Sequence, residues 1–222
     1  MNHGKIIVLE GLDGSGKSTQ SQLLLNKFCS LNRLAKIISM PNYSSLSSGP
    51  VRMYLNREIS DNPFDVNSYA SSSFFAVDRF INYVCNWKKF YDSENFTIIC
   101  DRYSSSNMIF QLAKIDRNNW DSFLDWVCDY EYNKLEIPNP DIVIYLRVPL
   151  NISQKLIKLR GTPADLHESS LEFIKSCYEA AEYSAEKFGW SIVNCSENGK
   201  SMDSMEVISS KIESILKMEK YI

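Results

Sequence analysis

The sequence lacks the patterns that mark disulfide-stabilised, zinc-binding and membrane-spanning proteins. Its six cysteines are widely scattered, no C-x-x-C occurs, and neither of the two histidines has a partner at metal-ligand spacing. The cysteines are therefore expected to be small buried residues in a reducing compartment. No apolar run approaches the roughly 18 residues that a transmembrane helix needs.

A surplus of positive charge is also missing. The formal net charge is −3 and the pI is about 5.5, which disfavours a broad surface for nucleic acid or anionic membranes. The N-terminus is polar for five residues before the first apolar segment, which leaves no room for a signal peptide. We expect a single domain over residues 1–222 that is located in the cytoplasm, with the nucleus as the alternative.

The motif that is present is GLDGSGKS at residues 11–18, a complete G-x-x-x-x-G-K-[ST] phosphate-binding loop. A strand is predicted at 5–10 and a helix at 19–28, which is the context this motif requires; a turn that binds nothing is the alternative. Glycines let the backbone approach a polyphosphate, and the N–H groups and dipole of the helix face the anion. Lys17 supplies positive charge for the β- and γ-phosphates, and Ser18 supplies a hydroxyl for Mg²⁺.

Apolar segments alternate with helical patterns along the rest of the chain. Further strands are predicted at 35–40, 96–100, 141–146 and 190–195. Helices are predicted at 50–56, 67–91, 104–113, 117–135, 149–159, 167–188 and 202–217. This alternation predicts an α/β fold, with a five-stranded parallel sheet and helices on both faces.

Ligands bind at the carboxyl ends of the strands in such sheets. We therefore expect four places to converge on one cleft: the phosphate loop, residues 41–43, residues 101–103 and Arg147. Asp101 and Arg102 directly follow a predicted strand, where the carboxylate could hold Mg²⁺ through water and the arginine could clamp phosphates. The alternative is an aspartate that caps the next helix beside a surface arginine.

Two other segments could take part in the chemistry. Residues 160–165, RGTPAD, could form a lid that brings Arg160 to the transferred phosphate, or could be a solvated connector. Phe75 and Arg79 are four residues apart and share a helix face. They could stack on a base and bond its edge, or could be a core phenylalanine with an arginine that reaches the solvent.

These residues together resemble the thymidylate kinase family. Residues 7–20, IVLEGLDGSGKSTQ, are similar to the opening of that family. The resemblance continues through Phe75, Arg79, residues 101–103, residues 140–141 and the lid segment, over nearly the whole chain. It implies a P-loop kinase architecture with a lid, and transfer of the γ-phosphate of ATP to dTMP with Mg²⁺, which gives dTDP in dTTP biosynthesis. It also implies a homodimer formed through packed helices.

The resemblance also implies roles for individual residues. Asp13 would contact the sugar of dTMP, Phe75 would stack on thymine, and Arg79 would bond the edge of the base. The predicted substrate-binding residues are Asp13, Tyr43, Phe75, Arg79, Arg102, Ser106, Asn107, Phe110 and Gln111. The predicted ATP-binding residues are Gly11, Leu12, Asp13, Gly14, Ser15, Gly16, Lys17, Ser18, Thr19 and Arg160. The predicted catalytic residues are Asp13, Lys17, Arg102 and Arg160, and the predicted magnesium ligands are Ser18 and Asp101.

The chain departs from the family pattern at three places. Many members carry an arginine for the dTMP phosphate in the loop at 40–43, which has no basic residue here. Binding of that phosphate would therefore depend more on Arg102 or on another residue. Gly14 stands where some members have an arginine, so the chain resembles the class that carries its catalytic arginine in the lid. Leu166 stands where the lid often has another arginine.

Two other functions stay open. One is a different P-loop kinase, whose acceptor is a deoxynucleoside, shikimate or another nucleotide. The other is a nucleotide-dependent interaction module without enzymatic activity. The joint presence of Asp13, Lys17, Asp101, Arg102 and Arg160 argues against the second.

Overall fold

The computed structural model describes residues 3–159, 165–168 and 170–222. Its centre is a sheet of five parallel strands in the order β2-β3-β1-β4-β5. The strands are β1 (Lys5–Glu10), β2 (Leu34–Ser39), β3 (Phe96–Asp101), β4 (Ile142–Arg147) and β5 (Ser191–Asn194). The predicted five-stranded parallel sheet is confirmed, and β1, which leads into the phosphate loop, lies in its middle.

Helices pack on both faces of this sheet. They are α1 (Lys17–Ser30), α2 (Gly49–Leu55), α3 (Ser68–Asn82), α4 (Lys88–Tyr91), α5 (Trp120–Cys128), α6 (Leu150–Leu159), α7 (Leu171–Lys187) and α8 (Met205–Met218). Short 3₁₀ or π-helical segments occur at Leu46–Ser48, Tyr83–Trp87, Ser104–Ser106, Asn107–Gln111, Leu112–Lys114, Arg117–Asn119 and Asp129–Lys134. Within the described residues no helix combines the length and the apolar character that crossing a membrane would take.

The core consists of two apolar layers, one on each side of the sheet. Ile6 and Val8 of β1 lie in the layer that includes side chains of α5 and α7. Ile7 and Leu9 lie in the opposite layer, with side chains of α1 and α8. All four are fully buried, as expected for a strand that is covered on both faces. Each such side chain contributes roughly 1.5–3 kcal/mol of burial free energy.

Side-chain caps set two helix boundaries. Asn67 accepts hydrogen bonds from two backbone N–H groups at the start of α3, and the helical path then continues through the π-helical turn and α4, as predicted for 67–91. The helix predicted from 167 begins at Leu171 instead. Ser170 caps it by accepting from the backbone N–H of Phe173 at 3.2 Å, while His167 is buried in the preceding turn.

The cysteines are free, as predicted, but not all of them are buried. Cys100, Cys177 and Cys195 are buried in the core. Cys29 and Cys85 are exposed on the outer sides of helical segments, so the prediction of buried cysteines is wrong for these two. Their helices bury other faces, and solvent reaches these positions.

Candidate active site

The phosphate loop joins β1 to α1 through three glycines whose conformation other residues rarely adopt. The φ angles of Gly11, Gly14 and Gly16 are +154°, +77° and +82°. A Cβ on Gly11 would lie 2.9 Å from the carbonyl oxygen of Leu146, and one on Gly14 would lie 3.0 Å from that of Ser153. The glycines are therefore required both for the turn and for its close packing against β4 and α6.

Lys17, the first residue of α1, is a buried cation in this loop. Its Nζ donates to the carbonyl oxygen of Leu12 at 2.9 Å and to Ser15 Oγ at 3.2 Å. Burial, and to a lesser degree the charge of Arg102, lowers its pKa to about 8, while carboxylates such as that of Asp13 act in the opposite direction. The ammonium group therefore stays largely protonated at neutral pH and can serve a phosphate oxygen.

Arg102 lies directly after β3 in a left-handed backbone conformation, with φ +68°. Its guanidinium donates to Glu10 Oε1 at 3.4 Å, to the carbonyl oxygen of Gly11 at 3.3 Å, and to Asp13. It also lies 4.9 Å from the centroid of the Phe110 ring. Burial opposes the charge, but Asp13 and Glu10 outweigh that effect and raise the pKa of Arg102. The alternative of a surface arginine is wrong, because only 17% of the side chain is exposed.

Glu10 is a fully buried carboxylate that none of the motifs indicated. Its Oε1 accepts from the backbone N–H of Gly11 at 2.9 Å, and its Oε2 accepts from the hydroxyls of Ser105 and Ser106 at 2.6 and 2.8 Å. Through these bonds it ties the phosphate loop to the segment that follows β3. The available signal is a single charge at the end of an otherwise apolar buried strand.

A cavity opens beside Arg102, and we call it the acceptor cavity. All nine predicted substrate-binding residues line it: Asp13, Tyr43, Phe75, Arg79, Arg102, Ser106, Asn107, Phe110 and Gln111. The ring of Phe75 meets Tyr54 edge-on, with 6.3 Å between the ring centroids.

The acceptor cavity is also lined by Asp165, the last residue of the predicted lid segment, and by His167, for which no role was predicted. Burial raises the pKa of Asp165 to about 6 and lowers that of His167 to about 3. The His167 ring stacks on Phe110 at 5.3 Å, and its Nε2 lies 3.1 Å from the hydroxyl of Tyr54. His167 therefore contributes a neutral aromatic surface to the wall.

Arg79 is buried in an ion pair and does not reach the solvent. Its Nε donates to Glu131 Oε2 at 2.6 Å, and its Nη2 donates to Glu131 Oε1 at 3.1 Å. Burial opposes the charge of Arg79, but Glu131 outweighs this and raises its pKa. The alternative of a snorkelling arginine is thus wrong, and its partner Glu131, which has no sequence motif around it, is a second buried carboxylate that the sequence patterns missed.

A larger cleft of about 1140 Å³ lies on the other side of Asp13 and Arg102, and we call it the donor cleft. The predicted residues that line it are Asp13, Gly14, Gly16, Lys17, Ser18, Thr19, Asp101 and Arg102. Gly11, Leu12 and Ser15 form the buried back of the loop. The rest of the wall consists of two polar and four apolar residues: Gln20, Asp203, Leu156, Met202, Met205 and Ile208. Burial raises the pKa of Asp101, while Lys17 and Arg102 oppose that rise.

One predicted arginine, Arg147, lines neither of these walls. Arg147 donates to Glu182 Oε1 at 2.9 Å through Nε and to Asn194 Oδ1 at 3.3 Å through Nη1. The prediction that it joins the cleft is therefore wrong, because Glu182 on α7 holds it at the far side of β4. Arg160 and the rest of 160–164 lie outside the described residues.

Comparisons with known proteins agree with this architecture. The family model described as thymidylate kinase matches residues 9–205. A thymidylate kinase of Schizosaccharomyces pombe is 32% identical over 163 residues, covering 72% of this chain and 67% of its own. A probable thymidylate kinase of Pyrococcus horikoshii is 34% identical over 160 residues, covering 72% of each chain.

A solved structure shows the same fold. The thymidylate kinase of Candida albicans superposes with a TM-score of 0.74 at 20% identity, covering 98% of this chain and 93% of that one. Because the family model spans most of the sequence and the phosphate loop, Arg102 and both clefts occur together, the chain is an enzyme of the thymidylate kinase family.

Proposed function

We propose that this enzyme transfers the γ-phosphate of ATP to dTMP, giving dTDP for dTTP biosynthesis. One observation carries the proposal: Asp13 and Arg102 line the acceptor cavity and the donor cleft at once. A phosphate group bound in the acceptor cavity beside this pair would therefore lie next to a phosphate group bound in the donor cleft. Phosphoryl transfer needs such in-line proximity and positive charge more than it needs covalent chemistry.

The acceptor cavity suits a nucleoside monophosphate. Phe75 offers an aromatic face for the base, Arg79 offers donors for its edge, and Asp13 offers a carboxylate for the sugar. Arg102, at the junction with the donor cleft, would hold the acceptor phosphate. Arg102 would then take the place of a basic residue in the loop at 40–43, which has none.

The donor cleft suits a nucleoside triphosphate. The loop glycines and the start of α1 present backbone N–H groups to phosphates, and Lys17 adds a positive charge. Its apolar side, with Leu156 and Met202, would cover a purine. We also propose that Arg160 reaches the transferred phosphate from the lid.

Magnesium would lie between Ser18 and Asp101, which line the same cleft. In the part of the chain that the structure describes, no group of three or more His, Cys, Asp and Glu residues forms a dedicated metal cage. One carboxylate and one hydroxyl fit Mg²⁺, which takes its other ligands from water and phosphates. The ion would neutralise charge on the β- and γ-phosphates.

A coupled ADP-release assay tests this proposal. ATP and Mg²⁺ are mixed with the enzyme and with dTMP, thymidine, shikimate or other nucleoside monophosphates, each in a separate reaction. We expect rapid ADP release with dTMP and only background release with thymidine. Release with thymidine or shikimate instead would indicate a different P-loop kinase. Nucleotide binding without any ADP release would indicate an interaction module.

We further propose that the enzyme is a homodimer, with the cytoplasm, or else the nucleus, as its compartment. Val77, Phe80, Ile81 and Val84 follow the spacing of one helical stripe and are 36–50% exposed. On the same helix, Ala76 is buried within its own chain, and Phe74 packs against the small apolar cluster that contains Tyr54. The stripe is therefore the surface that a partner helix would cover.

Sedimentation velocity at micromolar concentration tests the dimer. We expect a species of twice the monomer mass for the parent and a monomer for Val84→Glu, which places a charge in the stripe. Lys175→Glu on α7, a charge change at another exposed position, is the matched control and should stay dimeric. A monomeric parent would remove the claim.

A further inference from the structure

Glu131 is a buried charge that connects two walls of the acceptor cavity. It lies in the π-helical segment Asp129–Lys134, far along the chain from α3, and none of its surface is exposed. Its Oε1 accepts from Asn107 Nδ2 at 2.8 Å as well as from Arg79. Burial of a carboxylate costs several kcal/mol unless it is fully paired, so loss of either the Arg79 or the Asn107 contact would be destabilising.

These contacts decide which atoms Asn107 and Arg79 have left for a ligand. Asn107 Nδ2 donates both to Glu131 and to the carbonyl oxygen of Ser72, at 2.8 and 3.2 Å. Both partners can only accept, so the amide orientation follows from chemistry, and Oδ1 is the atom of Asn107 that can accept from a ligand. In Arg79, Nε and Nη2 bond Glu131, so Nη1 is the nitrogen that Glu131 does not engage.

We propose that Glu131 is a positioning residue that sets the hydrogen-bonding polarity of the base pocket, with a donor at Arg79 and an acceptor at Asn107. The inference rests on the proposed function, because it concerns how that site selects its acceptor. A thymine or uracil edge carries an acceptor at O4 and a donor at N3–H, which complements this pair. A cytosine edge carries a donor at N4 and an acceptor at N3, which opposes it at both atoms.

A carboxylate is required at this position because it only accepts. A glutamine would offer one donor and one acceptor to two neighbours that both donate. With its oxygen in the place of Oε1, the glutamine keeps Asn107 and Arg79 Nη2, but its NH₂ group opposes Arg79 Nε, so Arg79 has to shift and O4 of thymine loses its donor. With its oxygen in the place of Oε2, its NH₂ group opposes Asn107, whose amide has to rotate, and N3–H of thymine loses its acceptor. Either arrangement removes one of the two contacts that distinguish thymine from cytosine.

The test is the acceptor selectivity of Glu131→Gln in the full-length enzyme. The specificity constant kcat/KM is measured for dTMP, dUMP and dCMP, with ATP saturating, and the KM for ATP is measured separately. We expect the ratio of dTMP to dCMP to fall by about 10- to 100-fold. The ratio of dTMP to dUMP should stay within about twofold, because uracil and thymine share this edge. A purely structural defect would lower all three constants together.

Asp141→Asn is the matched control, since it also removes the charge of a hydrogen-bonded carboxylate. Asp141 directly precedes β4, at the amino ends of the strands, where it accepts from Lys5 Nζ and from the backbone N–H of Ile6. It should leave both ratios unchanged. If Glu131→Gln does not fold, Glu131→Asp keeps the charge for Arg79 but is one methylene too short to hold Asn107 as well. A lower dTMP-to-dCMP ratio is expected for it too.

The outcomes separate the two proposals. A parent enzyme that releases no ADP with dTMP ends the proposed function before any variant is made. A parent that uses dTMP but accepts dCMP equally well overturns the role of Glu131. So does a folded Glu131→Gln or Glu131→Asp whose dTMP-to-dCMP ratio equals that of the parent.

Discussion

The acceptor cavity and the donor cleft share Asp13 and Arg102 but are built in different ways. In the acceptor cavity the charged group Arg79 is paired with Glu131 behind the wall, so the wall offers aromatic faces and directed hydrogen bonds. In the donor cleft the charges of Lys17 and Asp101 themselves line the space. Under the proposed function, the first would supply recognition, and the second would supply charge for the transition state.

This difference predicts that substitutions in the two halves change different kinetic constants. Loss of a charge that acts on the transferred phosphate should lower kcat. Loss of a surface that holds the base should raise the KM for dTMP. The variants below test this division, from the largest expected effect to the smallest.

Lys17→Ala should reduce kcat by about three orders of magnitude or more, because no phosphate oxygen would then be neutralised from the loop. The fold should persist, since the lost group is a buried cation whose pKa is already lowered to about 8. Lys27→Ala on the same helix, where Lys27 pairs with Glu213 at 2.8 Å, is the control and should keep full activity. Steady-state kinetics with a circular dichroism check of folding decide the matter; a folded Lys17→Ala with near-normal turnover contradicts the assigned role.

Arg160→Ala should lower kcat by about two to four orders of magnitude, within the range of arginine fingers, and change the KM for dTMP little. Gly14 in the loop leaves the lid as the source of this charge. Lys155→Ala, an exposed cation on α6, is the control. A turnover number within about threefold of the parent, a barrier change of less than roughly 1 kcal/mol, removes the lid assignment.

Phe75→Ala should raise the KM for dTMP about tenfold or more, because stacking of a base on an aromatic ring is worth roughly 1–3 kcal/mol. The KM for ATP should change much less. Phe74→Ala is the matched control: its ring also lies near Tyr54, with 6.5 Å between centroids, but it does not line the acceptor cavity. Equal effects of Phe75→Ala on both substrates would make Phe75 a core residue only.

Lys114→Met should change the pH dependence of the free energy of unfolding and leave kcat and the KM for dTMP unchanged. Burial lowers the pKa of Lys114 to about 7, although its Nζ donates to Ser71 Oγ at 2.7 Å and to the carbonyl oxygen of Val66 at 2.9 Å. Between that value and the unfolded pKa of about 10.4 the unfolded chain binds more protons, so the free energy of unfolding should rise with pH.

Between pH 7 and pH 9 we expect the free energy of unfolding of the parent to rise by about 1–2 kcal/mol more than that of Lys114→Met, in which the contribution of Lys17 remains. Chemical denaturation at several pH values measures it. Lys175→Met, at an exposed position of α7, should keep the parental dependence. An identical pH profile in Lys114→Met would mean that Lys114 is charged and well solvated in the native state.

The sequence alone was sufficient to predict the parallel sheet and the phosphate loop. Five apolar segments separated by helical patterns predict a parallel sheet because both faces of each strand must be buried. The loop is a contiguous motif whose glycines are required by local backbone geometry, as the φ angles of Gly11, Gly14 and Gly16 show. The residues that were predicted to bind the substrate line one cavity, because strand ends bring together the segments that carry them, while their roles stay predictions.

Only the tertiary structure decided which charges are paired. Arg79 and Glu131 are 52 positions apart, and Arg102 and Glu10 are 92 apart. Hydrophobic periodicity reports which face of a helix or strand is buried, but it does not report which group lies opposite a given side chain. Arg147 shows the same limit, since Glu182 on a distant helix holds it away from the cleft. Such partners follow from the packing of whole elements against one another, which no local pattern of residues contains.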